Sequence, residues 1–256
     1  MKKNLREEHG IEIVETKPIE DKELVFLEGF PDVGLVGTIV TSYLIDKLGL
    51  EEVGYINAEL LPPIIAVREE RLKELLRIYR GGKIVAIISD IPLPASLAKP
   101  MAYTLMNWAK SKEPELFISL SGLPEPNRLN IDKPGVFVLG CKPELTERLV
   151  RVNGVNKFKE GFIAGVKGML LREGWKLNVN TAIVLAQSHY NYPDPGAAAE
   201  IVLYLSKLLK LEVDVAPLLE SAEELKLKLR DLMRRTDQMM HGVQKAKELE
   251  LPPVYL

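Results

Sequence analysis

Three segments of this 256-residue chain gather residue types that can do chemistry. The first is Gly29-Phe30-Pro31-Asp32-Val33-Gly34-Leu35-Val36-Gly37, between an apolar run and a helical pattern. Free amides at such a turn, with the positive end of a helix dipole, bind phosphate. The spacing is neither GxGxxG nor GxxxxGK[ST], and Asp32 repels an anion. A tight turn in which Gly34 and Gly37 allow close helix–sheet packing explains the same residues. The second segment, Gln187 to Asp194, follows a run ending near Ala186 and holds Ser188, His189, Tyr190, Tyr192 and Asp194. Loops at the carboxyl ends of strands are the ligand side of open α/β sheets, and a hydrolase needs nucleophile, base and orienter in hydrogen-bond reach. Ser119 and Ser121 are further candidate nucleophiles, although Ser121-Gly122 is not GxSxG and turn formation accounts for such residues too. The third segment is Val254-Tyr255-Leu256, apolar, aromatic and apolar, expected to end in a free carboxylate. That is the chemistry of C-terminal capture by a pocket; a tail folded back or frayed competes with it.

Other chemistries find little support. His9, His189 and His241 lie far apart, without metal-ligand spacing. Cys141 is the single cysteine, so a disulfide within the chain and CxxC motifs are excluded, and a small inert hydrophobe is expected there. No cofactor is expected. Lys and Arg total 34 against 36 Asp and Glu, a net charge of −2, with the signs interleaved. Nucleic-acid domains show a basic stripe instead. No apolar run reaches the length of a membrane span, and the charged Met1 to Glu8 precedes no secretory core. The expectations are a cytoplasmic protein with neither nucleic-acid nor membrane partners.

The elements that must position these segments follow from periodicity. Unbroken apolar runs at Leu24–Leu27, Lys83–Ser89 and Thr181–Ala186 read as strands covered on both faces. Further strands are expected at Ile11–Val14, Val53–Leu61, Ile64–Val67, Leu75–Tyr79, Glu115–Leu120 and Val136–Leu139. Helices are expected at Thr38–Leu48 with Gly49 as C-cap, Ala98–Lys110, Glu144–Leu149, Ile163–Arg172 and Pro195–Leu211. Alternation of strands and helices predicts an α/β fold: a mainly parallel sheet with helices on both faces. Trp108 and Trp175 are expected in the core, as are the scattered tyrosines.

Composition shifts after Pro217. Leu218, Ala222, Leu225, Leu229, Leu232, Thr236, Met239, Val243 and Ala246 alternate steps of four and three, a heptad seam on an otherwise charged helix expected from Pro217 to Glu250. Leu225, Leu229, Leu232, Met239 and Val243 are the candidate packing residues, against the body or a second copy. Pro252 and Pro253 cannot continue that helix and hold the last three residues in an extended spacer. The expected division is residues 1–216 as α/β core, 217–250 as heptad helix and 251–256 as docking tail.

Several of these segments together resemble the proteasome-assembly-chaperone family and its archaeal homologues. The likeness is carried by Glu28 to Gly37, Glu59-Leu60-Leu61-Pro62-Pro63, Gly161-Phe162-Ile163-Ala164-Gly165, Tyr192 to Ala198 and Val213 to Leu219. It implies a phosphorylase/hydrolase-like α/β fold with a C-terminal amphipathic helical extension. It also implies a homo-oligomeric, ATP-independent activator or assembly chaperone, not an enzyme. In that family a tail ending in a hydrophobic residue, Tyr and any residue enters pockets between α subunits of the 20S proteasome. Val254, Tyr255 and Leu256 occupy those positions. The alternative is a small-molecule phosphorylase or hydrolase working through the glycine turn and the Ser188–Asp194 loop.

Overall fold

A computed structural model describes residues 3–8, 10–152 and 154–250, with side chains placed for 10–152 and 154–240. The strands and helices, in chain order, are β1 (Lys3–Glu8), β2 (Ile11–Glu15), β3 (Val25–Gly29), α1 (Val36–Lys47), β4 (Glu51–Ala58), β5 (Ala66–Arg68), β6 (Arg71–Lys73), β7 (Leu76–Gly81), β8 (Ile84–Ser89), α2 (Ala98–Lys110), β9 (Leu116–Pro124), β10 (Val136–Gly140), α3 (Pro143–Val150), β11 (Val155–Lys157), α4 (Gly165–Leu177), β12 (Thr181–Ser188), α5 (Pro195–Leu209), α6 (Ala216–Glu220) and α7 (Ala222–Glu250).

Ten strands form one sheet in the order β1-β2-β4-β7-β8-β3-β9-β12-β10-β11, while β5 and β6 make a separate hairpin. Pairing is parallel for β8-β3, β3-β9, β9-β12 and β10-β11. It is antiparallel for β1-β2, β2-β4, β4-β7, β7-β8 and β10-β12. The expected mainly parallel sheet is thus corrected to a mixed one with a parallel centre. The cause is connection length. Parallel neighbours need a crossover of a dozen or more residues, which α1 and α2 provide, whereas Gly82-Lys83 between β7 and β8 allows only a hairpin.

Alternation along the central strands divides the core between two layers. Val25 and Leu27 face α1 and α5, with Ile118, Val184 and Ile201 in the same cluster. Phe26 faces the other way, with Val85, Phe117, Met101 and Leu170 under α2 and α4. Phe26 meets the edge of Trp108 at 5.4 Å and stacks on Phe117 at 5.9 Å between ring centres. Trp108 is therefore core. Trp175, by contrast, is 63% exposed near the end of α4, and Tyr192 is exposed as well, contrary to expectation. Both flank stretches of periodic apolar residues without belonging to the buried face.

The long helix expected from Pro217 breaks at Ser221, whose Oγ donates to the Pro217 carbonyl at 2.8 Å, separating α6 from α7. Along α7, Leu225, Leu229 and Leu232 are half-buried against the body, and Met233 and Thr236 are buried. Met239 is exposed, and the side chain of Val243 lies outside the described residues. Contact with the body runs through 225, 229, 232, 233, 236 and 240: it keeps the heptad positions as far as Thr236 and then passes to Met240 rather than Met239, the drift expected of a straight helix with 3.6 residues per turn. Among the described residues no helix is long and apolar enough to cross a membrane.

Candidate functional site at the carboxyl edge of the sheet

β3, β8, β9 and β12 all end at one edge of the sheet. The glycine turn follows β3 there, the Ser188–Asp194 loop follows β12, and α7 passes against the turn at Val33–Leu35. The two candidate segments are thus brought together. They meet as a closed joint. Gly34 adopts φ 60°, and a Cβ there would collide with Ser188 Oγ; a Cβ on Gly37 would collide with the Leu120 carbonyl oxygen. Asp194 N–H donates to the Gly34 carbonyl at 2.9 Å. The close approach of Ser188 to Gly34 and of the Leu120 carbonyl to Gly37 is what the tight-turn explanation requires.

The polar groups of the second loop are engaged internally. Asp194 accepts two bonds from Arg128, Nε at 2.8 Å and Nη2 at 3.0 Å, in a bidentate buried pair. It also caps α5 by accepting from Ala197 N–H at 2.9 Å and takes His189 N–H at 3.1 Å. Ser188 Oγ donates to the His189 carbonyl at 3.1 Å rather than to an imidazole. The His189 ring lies edge-on to Tyr192, 6.2 Å between centres. Burial pushes its pKa below the ordinary value against the pull of Asp194, with Arg128 and Lys226 adding to the depression. A hydrolytic dyad needs serine and imidazole in mutual contact with the carboxylate behind. Here the carboxylate is committed to an arginine and a helix N-terminus.

Beneath the glycine turn lies a polar cluster unforeseen in the sequence. Glu28, fully buried at the end of β3, takes Lys167 Nζ of α4 at 3.1 and 3.3 Å and Phe30 N–H at 2.7 Å. Lys167 Nζ also donates to the Leu120 carbonyl at 2.7 Å and stands 3.6 Å from Asp32 Oδ2. Ser119 donates to Glu28 and Ser121 to Asp32. Both serines lie inside β9, which runs on to Pro124, and not in a turn. Burial pushes the Asp32 carboxyl up to about 7, with Lys167 and Ser121 opposing and Glu28 contributing. Burial also works against the Lys167 ammonium, but Asp32 and Glu28 outweigh it and raise its pKa. Asp32 Oδ1 is buried without a hydrogen-bond partner among the described residues. The cluster ties β3, β9 and α4 together. Its one sequence signal is a lone Glu in the apolar run Val25-Phe26-Leu27-Glu28; its partners lie 91 and 139 residues away.

Exposed apolar side chains collect on the loops of the same edge. Leu60, Ile64 and Ile65 follow β4, Val67 and Leu72 sit on the β5–β6 hairpin, and Leu129 follows β9. Val254, Tyr255 and Leu256 lie outside the described residues.

Comparison with known proteins matches the sequence model of the PAC2 family to residues 26–233. An uncharacterized protein of Methanocaldococcus jannaschii is 28% identical over 231 residues, covering 90% of this chain and 94% of that protein. Among solved structures, Pyrococcus furiosus PbaA, described as an archaeal homolog of proteasome-assembly chaperone, superposes with a TM-score of 0.83. It is 32% identical, over 89% of this chain and 98% of that one. Pyrococcus furiosus PbaB, described as an archaeal proteasome activator, shares the fold with a TM-score of 0.75 at 20% identity, over 88% and 99%. The family match runs from β3 into α7 and so includes the glycine turn, the polar cluster and the loop after β12: this chain belongs to the PAC2 family.

Proposed function

We propose that this chain is a non-enzymatic adaptor of the 20S proteasome, an ATP-independent activator or assembly chaperone. In this reading a homo-oligomer engages the α subunits through Val254, Tyr255 and Leu256. The observation that carries the proposal is the likeness to PbaA, which extends along nearly the whole of both chains at 32% identity. The C-terminal residues match the hydrophobic–Tyr–any-residue pattern, and Pro252-Pro253 supplies a stiff spacer at small entropic cost. Helix α7, 29 residues and about 44 Å long, would carry that spacer. Several tails on one oligomer raise the effective concentration of each remaining tail once the first has docked. The phosphorylase/hydrolase-like body serves as scaffold, and its polar joint at the carboxyl edge as packing. The protein works in the cytoplasm without cofactor.

The test is peptide hydrolysis by purified archaeal 20S proteasome, with binding read in parallel, for the protein and its Tyr255→Ala variant. Wild-type binding with faster hydrolysis, and loss of both in the variant, is the expected result. Equal binding by both proteins would remove the tail as anchor. Binding by neither would return attention to the enzymatic alternative, tested by thermal shift with phosphate and nucleosides.

A further inference from the structure

Helices α2 and α4 pack side by side over Phe26 and Phe117, on the sheet face opposite to α1 and α5. Met101, Leu105 and Met106 of α2 and Val166 and Leu170 of α4 belong to that buried layer. The side chains that the two helices leave exposed are Lys99, Tyr103 and Lys110 on α2 and Arg172, Trp175 and Lys176 on α4. They are four cations and two aromatics, with no acid among them.

The bias is written in the chain. No Asp or Glu occurs between Asp90 and Glu113, and between Glu160 and Asp194 the single acid is Glu173. Glu173 is half-buried and already pairs with Lys176 at 2.9 Å. Lys99, Lys110 and Arg172 form no ion pair among the described residues. A merely solvated helix face interleaves both signs, as α7 does with Lys226–Glu223 and Lys228–Glu224. On a chain of net charge −2, the α2–α4 face has the opposite sign to the whole. Between the helices the surface dips into an open groove of about 480 Å³, lined by Pro100, Tyr103 and Met169 with Lys99, Arg172 and Lys176 around them. Tyr, Trp, Arg and Met are the side chains enriched where proteins meet.

We propose that the α2–α4 face binds a separate partner protein, through an acidic segment that sets an apolar side chain into the groove while its carboxylates meet Lys99, Arg172 and Lys176. Charge selects this occupant. A second copy docked on the same face about a two-fold axis would bring cations onto cations. Domains that track phosphates are basic overall, whereas this chain is acidic, and the apolar lining of the groove offers a phosphate backbone nothing. An aliphatic or aromatic side chain, by contrast, gains burial against Pro100 and Met169. Helix α7 packs in the opposite layer, with α5, so this surface is separate from the one it uses. The proposal does not depend on the proteasome reading.

The test uses the full chain and a fluorescein-labelled synthetic peptide of glutamates interrupted by one leucine and one tryptophan, read by fluorescence anisotropy without proteasome. Saturable binding that weakens as salt rises is expected. Lys99→Glu combined with Arg172→Glu is expected to weaken it about tenfold or more. Both side chains are in solvent, so the melting temperature should hold; if it falls, Lys99→Gln with Arg172→Gln takes their place with the same direction expected. An all-glutamate peptide is expected to bind less tightly than the mixed one. No saturation of the wild type up to about 1 mM peptide, or equal affinity for wild type and variant, overturns the proposal. Equal affinity for the two peptides overturns the part given to the groove, because charge alone then suffices. Tighter binding of a thymidine oligonucleotide, lost in the same variant, overturns the choice of a protein partner over a nucleic acid.

Discussion

Asp32 has the most informative electrostatics in the molecule. Burial raises its carboxyl from the ordinary 3.8 to about 7, so between those values the folded chain holds a proton that the unfolded chain has released. Stability from this group is full below pH 4 and declines as pH rises through about 7, with a slope of at most about 1.4 kcal/mol per pH unit. Asp32→Asn is expected to flatten the dependence of melting temperature on pH between 4 and 7. The variant should melt higher than wild type at pH 8, with the difference shrinking at pH 5. A parallel pH series of thermal unfolding checks this, and identical slopes for the two proteins would show that Asp32 titrates normally. Its acid character could be read from the sequence; its burial could not, because Lys167 and Ser121 arrive from α4 and β9, 135 and 89 residues away.

Between elements, the closest approach that matters is α1 against β9. A glycine inside a helix ordinarily costs about 0.8–1 kcal/mol relative to alanine, so propensity favours Gly37→Ala. The contact with the Leu120 carbonyl says the opposite, because backbone cannot move aside as a flexible side chain can. Steric overpacking, about 1–3 kcal/mol, outweighs propensity. Gly37→Ala is therefore expected to lower the denaturant midpoint, and a raised midpoint would show that α1 can shift away from the sheet. The helical periodicity of α1 and the need for small residues at its start were legible in the chain. The identity of the neighbouring strand was not, since β9 begins 69 residues beyond the end of α1. The C-terminal helix shows a related limit. Its heptad steps are real in sequence, yet the body takes up a stripe through Met233 and Met240, because a straight helix keeps 3.6 residues per turn unless a partner supercoils it.

At the scale of the assembled molecule the tail makes the prediction. If several tails act together, a lone tail binds far more weakly than the whole protein. A synthetic Leu251–Leu256 peptide is expected to bind the 20S proteasome about two orders of magnitude more weakly than the full chain. Surface plasmon resonance on immobilised proteasome distinguishes the cases, and equal affinities for peptide and full chain would mean that a single tail suffices.

The residue pattern alone settled what depends on neighbours along the chain: buried strands expected at Lys83–Ser89 and Thr181–Ala186, helices expected at Ala98–Lys110 and Pro195–Leu211, each found within two residues of those bounds, and an α/β alternation over most of the body. Side-chain period and capping residues act over a few positions, so they leave a local trace. Strand order, the antiparallel flank β2-β4-β7-β8, and the union of glycine turn with the Ser188–Asp194 loop became visible in three dimensions. So did the use of Arg128 to neutralise Asp194 and of Lys167 to neutralise Glu28. These depend on which distant surfaces bury each other, a choice made by the packing of the whole chain that leaves no periodic signature in any one segment of it.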